Sequence, residues 1–209
     1  MEAIIPLLLL ATMTGQADRA IVFQCDLWPG ERLFPERLEV ACRVELREAP
    51  SDAAKILPGA TVGPGQTFSF EQTRYVTREP GAFTAVAATK IHGRVLGPIR
   101  YLSKDSYYGG GVDYADVPVP AGTLVEYLQY RAEGACFVRL RGDVIDADMC
   151  PLNVTGFQLV REPIVEKWAA VGVGKSTGWL KVDNACVKVV VLRVRRPNPA
   201  LHPTPAGQP

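Results

Sequence analysis

Short segments in which apolar and polar residues alternate recur along most of this chain, and they constrain its fold more than any other feature. Six segments show the pattern, and none has the 3.6-residue repeat of a long helix. The 19 glycines and 17 prolines supply many turns and would disrupt a helical bundle. The sequence therefore predicts a mainly β protein, with short helices expected only at 51–57 and 165–171. The alternating segments are 38–48, 67–70, 83–87, 123–130, 136–140 and 187–194.

The N-terminal residues 1–17 resemble a signal peptide. An uncharged run at 3–13 is too short to cross a bilayer core of roughly 30 Å, and Gly15-Gln16-Ala17 places small residues at the −3 and −1 positions of a cleavage site. The presence of Glu2 and the lack of lysine or arginine before the run depart from that pattern. We expect an exported protein, periplasmic or secreted, that has no membrane segment after cleavage. The alternative is that the run forms a buried first strand.

The C-terminal residues 196–209 contain five prolines and are expected to be a disordered tail. The ending that begins at Arg196 resembles the translated readthrough of bacterial integron gene cassettes. That resemblance covers about a dozen residues and concerns gene mobility, with no implication for activity. Removing both ends leaves 18–195, which is enough chain for one core or for two small ones.

Five cysteines fit two disulfides and one remaining thiol in an oxidising compartment. Cys136 and Cys150 flank a turn signal, and a hairpin with Gly142-Asp143 as its loop would place Cys136 opposite Met149, one residue short of Cys150. A bulge or a slack strand end would absorb that residue. Cys136–Cys150 is therefore the first predicted pair.

The second predicted pair is Cys25–Cys42, which are close in sequence. Cys186 is then expected to be a buried thiol, as non-bonded cysteines often are.

An internal repeat relates 65–74 to 122–131. Two further glycine matches follow in the same order, Gly81 with Gly134 and Gly93 with Gly142. Several matches in one order favour a duplication with loops of unequal length. The pairs in the first block are Gly65 with Gly122, Phe70 with Tyr127, Gln72 with Gln129 and Arg74 with Arg131.

The repeated unit resembles the bacterial SH3-like (SH3b) domain. Residues 44–51 (VELREAPS) look like its opening V-x-L-R-x-x-P-S motif, and a P-G-x-x-x-x-[FY] strand follows at 64–70. Trp168 and Trp179 stand where its closing W-x-x-V and G-W-[LV] hairpin carries tryptophans. The resemblance implies structural roles for both residues, with Trp179 as a core anchor.

This resemblance implies two small SH3-like β-barrel modules in tandem. It covers roughly 43–103 and, more loosely, 117–192, which gives a first module with an N-terminal extension at 18–108 and a divergent second module at 109–195. The second module lacks the opening motif and has an insertion around 151–162. The alternative is one larger β-sandwich.

Two short sequence motifs are typical of catalytic or nucleotide-binding sites, but a turn accounts for both. Residues 169–176 fit a relaxed phosphate-loop pattern, and 174–178 fit G-x-S-x-G. The residues that follow read as a turn and a strand, whereas both motifs need a helix there. The only downstream histidine is His202, in the predicted tail. We expect a hairpin turn at 172–178 and no nucleotide cofactor.

The metal-ligating residue types are too scattered to predict a metal site. The chain has two histidines, and His92 is expected in a solvated loop. Asp146 and Asp148 alternate on a predicted strand, where a solvated edge with Arg139 as partner explains them.

Tyr107 and Tyr108, which precede a run of three glycines, are the predicted ligand-binding residues. Tyrosine is common in recognition surfaces because its ring is apolar and its hydroxyl is polar. The alternative is that the two rings pack an interdomain joint.

The charge balance excludes a general nucleic-acid binder, since 23 basic and 22 acidic residues leave a net charge of +1. The resemblance implies a non-enzymatic exported module that binds a cell-wall peptide or a protein partner. The alternatives are a small cell-envelope hydrolase, or a structural or partner protein of a mobile gene cassette.

Overall fold

The computed structural model describes residues 21–26, 36–69, 72–109, 114–182 and 184–191. The predicted signal peptide at 1–17 and the predicted tail at 196–209 lie outside these residues. The mainly β class is confirmed: the described chain forms 17 strands, one short α-helix and one 3₁₀ turn. None of its sheets closes into a barrel within the described ranges, so the SH3-like barrel modules stay a prediction.

The elements follow one another closely and most strands are short. The helix α1 is Lys104–Gly109, and the 3₁₀ turn is Pro151–Asn153. The strands are β1 Phe23–Cys25, β2 Glu36–Val40, β3 Val44–Arg47, β4 Ile56–Val62, β5 Thr67–Phe68, β6 Gln72–Glu79, β7 Gly81–Ala85, β8 Thr89–Gly97, β9 Tyr101–Leu102, β10 Tyr114–Val119, β11 Leu124–Tyr130, β12 Cys136–Leu140, β13 Asp143–Ala147, β14 Phe157–Arg161, β15 Ile164–Val173, β16 Ser176–Val182 and β17 Val187–Val191.

Three sheets are formed. Sheet 1 has the order β4-β3-β16-β15-β6-β1-β9, sheet 2 the order β10-β8-β13-β12-β11-β7-β14, and sheet 3 the order β17-β2-β5. Sheet 2 is built entirely from the chain between β6 and β15, while these two strands pair with each other in sheet 1. The expected boundary between 108 and 109 therefore does not separate the sheets, because β15 and β16 join strands from the first half of the chain.

The two expected helices are absent from the described residues at their predicted positions. Residues 165–171 belong to β15, which is hydrogen-bonded to β6 on one side and to β16 on the other. Residues 51–54 form bends and a turn, and 56–57 are the first two residues of β4. Neighbouring strands on both sides satisfy the backbone of β15, and tertiary pairing of this kind overrides a weak helix propensity.

Three apolar clusters form the interior. One lies within sheet 2 and one is shared by sheets 1 and 3. The third joins sheet 1 to sheet 2: the Phe23 and Phe137 ring centroids are 5.4 Å apart, and the Thr77 hydroxyl donates to the Leu128 carbonyl oxygen at 2.8 Å. Because the donor and acceptor of that hydrogen bond are buried, it satisfies two polar groups inside the contact between the two sheets.

The β12–β13 hairpin differs from its predicted register by two residues. Its loop is Arg141-Gly142, with φ of 53° and 97°, so that Val138 pairs with Ile145 and Leu140 with Asp143. Two successive positive φ values are typical of a type I′ turn, which matches the twist of paired strands. A shift of two residues leaves every side chain on its predicted face.

The first predicted disulfide is confirmed and the second is wrong. Cys136 is bonded to Cys150, with Cα atoms 5.1 Å apart, and Cys42 is bonded to Cys186, with Cα atoms 5.0 Å apart. Cys25 is a buried thiol in β1. The pairing of β2 with β17 decides the partner of Cys42: the Ala41 N–H donates to the Cys186 carbonyl oxygen at 2.7 Å.

Part of the repeat has a structural counterpart. Gly65 and Gly122 have φ of 81° and 77° and lie in equivalent turns that lead into β5 and β11. Phe70 lies outside the described residues. The match of Gly93 with Gly142 is wrong, because Gly93 lies inside β8 whereas Gly142 lies in the hairpin loop.

Candidate functional site

A groove of about 550 Å³ opens on the outer face of sheet 1, where β3 and β16 lie side by side. Its walls carry two tryptophans and several charged side chains. The residues that determine its chemistry are Arg43, Glu45, Arg47, Asp52, Trp179 and Lys181.

Strand alternation places these side chains on one face. In β3, Leu46 is fully buried while Glu45 and Arg47 point to the groove. In β16, Leu180 and Val182 are buried while Trp179 and Lys181 point outward. The groove is therefore the outward surface of the strands whose inward side chains build the core.

Gly178 permits the close approach of β3 to β16. A Cβ atom at this position would lie 2.6 Å from Leu57 Cδ1 and 2.8 Å from Leu46 Cβ. Trp179, the next residue, is the direct partner of Arg47. The Gly-Trp dipeptide thus brings the indole next to the strand that carries the arginines.

The structure does not place Trp179 in the core, contrary to the expected core anchor. Its side chain is half-buried, and the Arg74 guanidinium packs over its ring with Cζ 5.1 Å from the centroid. Arg74 is fixed by Asp26, with Nε 2.7 Å from Oδ1, and by the Tyr101 hydroxyl at 3.0 Å. The Tyr101 hydroxyl in turn donates to Asp26 Oδ2 at 2.6 Å, which leaves this support for the indole with little freedom.

Trp168 is the buried tryptophan of the pair, at 1% exposure. Its indole N–H donates to Glu166 Oε2 at 3.2 Å. Lys181 lies over its ring, with Nζ 5.6 Å from the ring centroid, and also binds Asp52 in the loop at 51–54. The predicted structural role therefore fits Trp168 better than Trp179.

The loop is held by an ion-pair network. Lys181 Nζ lies 2.6 Å from Asp52 Oδ2 and 2.6 Å from Glu166 Oε1, and Arg78 Nε lies 2.9 Å from Glu166 Oε2. Arg78 also donates to the Ser51 hydroxyl at 3.3 Å. Partial burial acts to lower the pKa of Lys181, but hydrogen bonds to the two carboxylates outweigh it and the pKa is raised. Lys181 is thus positively charged, and its charge is already balanced by Asp52 and Glu166.

The three charged residues of β3 and its start behave differently. Within the described residues, Arg43, Glu45 and Arg47 have no ion-pair partner within 4 Å; Arg47 donates from Nη1 to the Ala54 carbonyl oxygen at 2.7 Å. Their positions give the groove a row of charges that runs positive, negative, positive. These are the charges available to a ligand.

The predicted ligand-binding residues lie elsewhere. Tyr107 is packed against two guanidinium groups, with Arg94 Cζ 4.8 Å and Arg131 Cζ 5.7 Å from its ring centroid, and Arg131 donates to its hydroxyl at 2.7 Å. Burial raises the pKa of Tyr107 to about 12. Tyr108 is 72% exposed and meets Tyr107 edge-on at 5.0 Å. The contacts of Tyr107 are those of a packed joint.

Asp146 lies beside this joint and is buried, at 1% exposure, whereas a solvated edge was expected. Its Oδ1 is 3.1 Å from Arg131 Nε, and burial raises the pKa of its carboxyl group despite the nearby arginines. Arg139, its expected partner, donates instead to Glu126 at 2.9 Å and to the Val22 carbonyl oxygen at 3.1 Å.

The remaining candidate strings do not form a catalytic or metal centre among the described residues. His92 lies in β8 and not in the expected loop; its side chain is exposed, with Nδ1 2.8 Å from Asp116 Oδ1. No group of three or more His, Cys, Asp or Glu residues in the described ranges is arranged to hold a metal ion. The string at 169–176 forms the end of β15, where a helix was expected over 165–171, and the tight turn into β16, where a hairpin turn was expected. No described helix has the length and apolar character that crossing a membrane requires.

Comparison with known proteins identifies no relative: no protein-family model, no curated protein and no solved structure matches this chain. The groove was not predicted from the sequence. The sequence does show charged residues alternating with Val44 and Leu46. It does not show that β3 pairs with β16, and this pairing brings Trp179 to the same surface.

Proposed function

We propose that this protein is an exported, non-enzymatic binding module whose groove takes a cell-wall peptide. The observation that carries the proposal is the half-buried Trp179 in a groove that also presents Arg43, Glu45 and Arg47 without ion-pair partners among the described residues. A rigid aromatic ring next to a few charged groups is the usual composition of a recognition site.

The compartment supports the proposal. The disulfides Cys42–Cys186 and Cys136–Cys150 are typical of an oxidising, non-cytoplasmic environment. A protein exported to the periplasm or beyond meets the cell wall, whose peptides carry both carboxylates and amines. The groove offers charges of both signs to such a ligand.

Cosedimentation with purified peptidoglycan sacculi tests the proposal. We expect the wild-type protein to pellet with sacculi and the Trp179→Ala variant to lose about tenfold in affinity, since a buried aromatic contact at a binding site contributes about that much or more. Tyr114→Ala is the matched control, because Tyr114 is an exposed aromatic residue of sheet 2 outside the groove.

Equal binding by all three proteins would place the ligand outside the groove. No binding by the wild-type protein would overturn the cell-wall assignment, and capture of an envelope protein that depends on Trp179 would then favour a protein partner. Circular dichroism of each variant establishes that it is folded.

A further inference from the structure

We propose that the groove selects a peptide that carries a free carboxylate and a primary ammonium group about 7 Å apart, with the carboxylate at Arg43 and the ammonium at Glu45. This inference rests on the proposed binding function and names the chemistry that the groove recognises. It follows from which charges in the groove are already satisfied and which are not.

The satisfied charges are on the Asp52 side of the groove. Lys181 bridges Asp52 and Glu166 at 2.6 Å each, and Glu166 also accepts from Arg78. A ligand group that approached Lys181 would have to displace a short ion pair that also holds the loop. This side is therefore a wall of the groove, and it does not select the ligand's charge.

The unsatisfied charges are on the β3 side. Arg43, Glu45 and Arg47 alternate with the inward Val44 and Leu46, so that neighbouring charges in the row are about 7 Å apart along an extended strand. Arg43 and Glu45 are both exposed. An extended ligand whose charges alternate in the opposite order meets each of them with its complement.

Trp179 determines where the ammonium goes. The guanidinium of Arg74 already occupies one face of the indole, with Cζ 5.1 Å from the ring centroid. A second cation on the same ring would be repelled by Arg74 and by Arg47, the cross-strand neighbour of Trp179. Glu45 is thus the anionic group on this side of the groove that accepts the ligand's ammonium group. The indole of Trp179 contacts the apolar part of the peptide.

A set of four probe peptides tests the assignment. The parent probe is acetyl-Ala-Lys-Ala with a free C-terminal carboxylate; the others have the carboxylate amidated, the lysine side chain acetylated, or both. Each is titrated into the full-length protein while the Trp179 indole N–H is followed by NMR, its signal being assigned with Trp179→Phe. We expect each single modification to weaken binding about tenfold, as the loss of a charge-assisted contact does.

Two variants connect each ligand group to its residue. With the Arg43→Gln variant, amidating the carboxylate should not weaken binding further, whereas acetylating the lysine should still weaken it. With Glu45→Gln, acetylation should not weaken binding further, whereas amidation should. Both residues are exposed, so these variants are expected to fold. Arg100→Gln, which removes an exposed charge outside the groove, is the matched control and should bind all four peptides like the wild type.

The outcomes separate this inference from the proposed function. If the protein binds sacculi through Trp179 but binds the four peptides equally, the charge selection is wrong and the groove function stands. If the modifications matter but Arg43→Gln and Glu45→Gln respond like the wild type, the assignment of the two residues is wrong. If the peptides leave the indole signal unchanged and sacculi do not bind, both are overturned.

Discussion

Glu79 and Ile164 are direct partners across the antiparallel strands β6 and β15, although every strand of sheet 2 lies between them in the chain. Between these two residues the chain builds all of sheet 2, and within the same stretch β9 returns to sheet 1, where it pairs with β1. Sheet 2 is therefore formed by a segment inserted between two neighbouring strands of sheet 1, and the expected boundary at 108–109 falls inside that segment.

The point where the chain leaves and returns is tightly packed, and this gives the first prediction. A Cβ atom on Gly81 would lie 2.4 Å from the Arg161 carbonyl oxygen and 2.7 Å from the Pro163 nitrogen. Because these are backbone atoms, Gly81→Ala should lower the free energy of unfolding by about 1–3 kcal/mol. Chemical denaturation measures the change. Gly172→Ala is the control, since a Cβ there meets nothing within 4 Å and φ is not positive; equal stability of the two variants would contradict the crossing.

The second prediction concerns the two disulfides. Cys42–Cys186 closes a loop with a sequence separation of 144 and Cys136–Cys150 one of 14. Chain entropy predicts that replacing the first disulfide by a pair of serines lowers the free energy of unfolding by about 5 kcal/mol. For the second disulfide the predicted decrease is about 3 kcal/mol. Urea unfolding of the two double variants tests this order. Peptide mapping without reductant should recover a Cys42–Cys186 peptide, and a Cys25–Cys42 peptide would refute the assignment.

The third prediction is a pH dependence at Asp146. Burial raises the pKa of this carboxyl group in the folded protein, so the folded state binds more protons than the unfolded state just above the usual Asp range. The wild-type protein should therefore gain stability relative to Asp146→Asn as the pH falls from 7 through that interval. Thermal melts of both proteins at several pH values measure it. If the stability of the wild-type protein relative to Asp146→Asn instead rose with rising pH, the attraction of Arg94 and Arg131 would outweigh the effect of burial on the Asp146 pKa.

The fourth prediction separates a joint from a binding site at Tyr107. Tyr107→Phe removes the hydroxyl that accepts from Arg131 at 2.7 Å and should cost about 1 kcal/mol, because the partly buried Arg131 loses this hydrogen bond but keeps its ion pair with Asp146. Tyr108→Ala should leave stability unchanged, since Tyr108 is 72% exposed. Sacculus binding per folded molecule should be unchanged in both variants. Weaker binding with unchanged melting would restore the two tyrosines as ligand-binding residues.

How far the sequence predicts this structure depends on the range of the contacts. Alternation gives the mainly β class and some of the strands, though not β15, and the local turn gives the Cys136–Cys150 pair, because both depend on residues close in the chain. The Cys42–Cys186 bond depends on β2 pairing with β17, from opposite ends of the fold. Alternation shows which face a residue occupies but not which strand lies beside it.

The groove illustrates the same limit. The charged row at Arg43, Glu45 and Arg47 can be read from the sequence as one face of a strand. The position of Trp179 beside this row cannot be read from the sequence, because β3 and β16 are far apart in the chain and are brought together only by the strand order of sheet 1. Trp168 also lines the groove but is 1% exposed, with Lys181 Nζ 5.6 Å from its ring centroid, whereas Trp179 is half-buried.

The last prediction distinguishes the two tryptophans by stability. Trp168 is 1% exposed and its indole N–H is bonded to Glu166, so Trp168→Ala should lower the free energy of unfolding by about 3–5 kcal/mol. Trp179 is half-buried, on the face away from Leu180 and Val182, so Trp179→Ala should lose only about 1–2 kcal/mol, for partial burial and the contact with Arg74. Thermal and urea unfolding of both variants decide the order. A larger loss for Trp179→Ala would show that this indole anchors the core, and the weaker sacculus binding expected of that variant would then reflect unfolding.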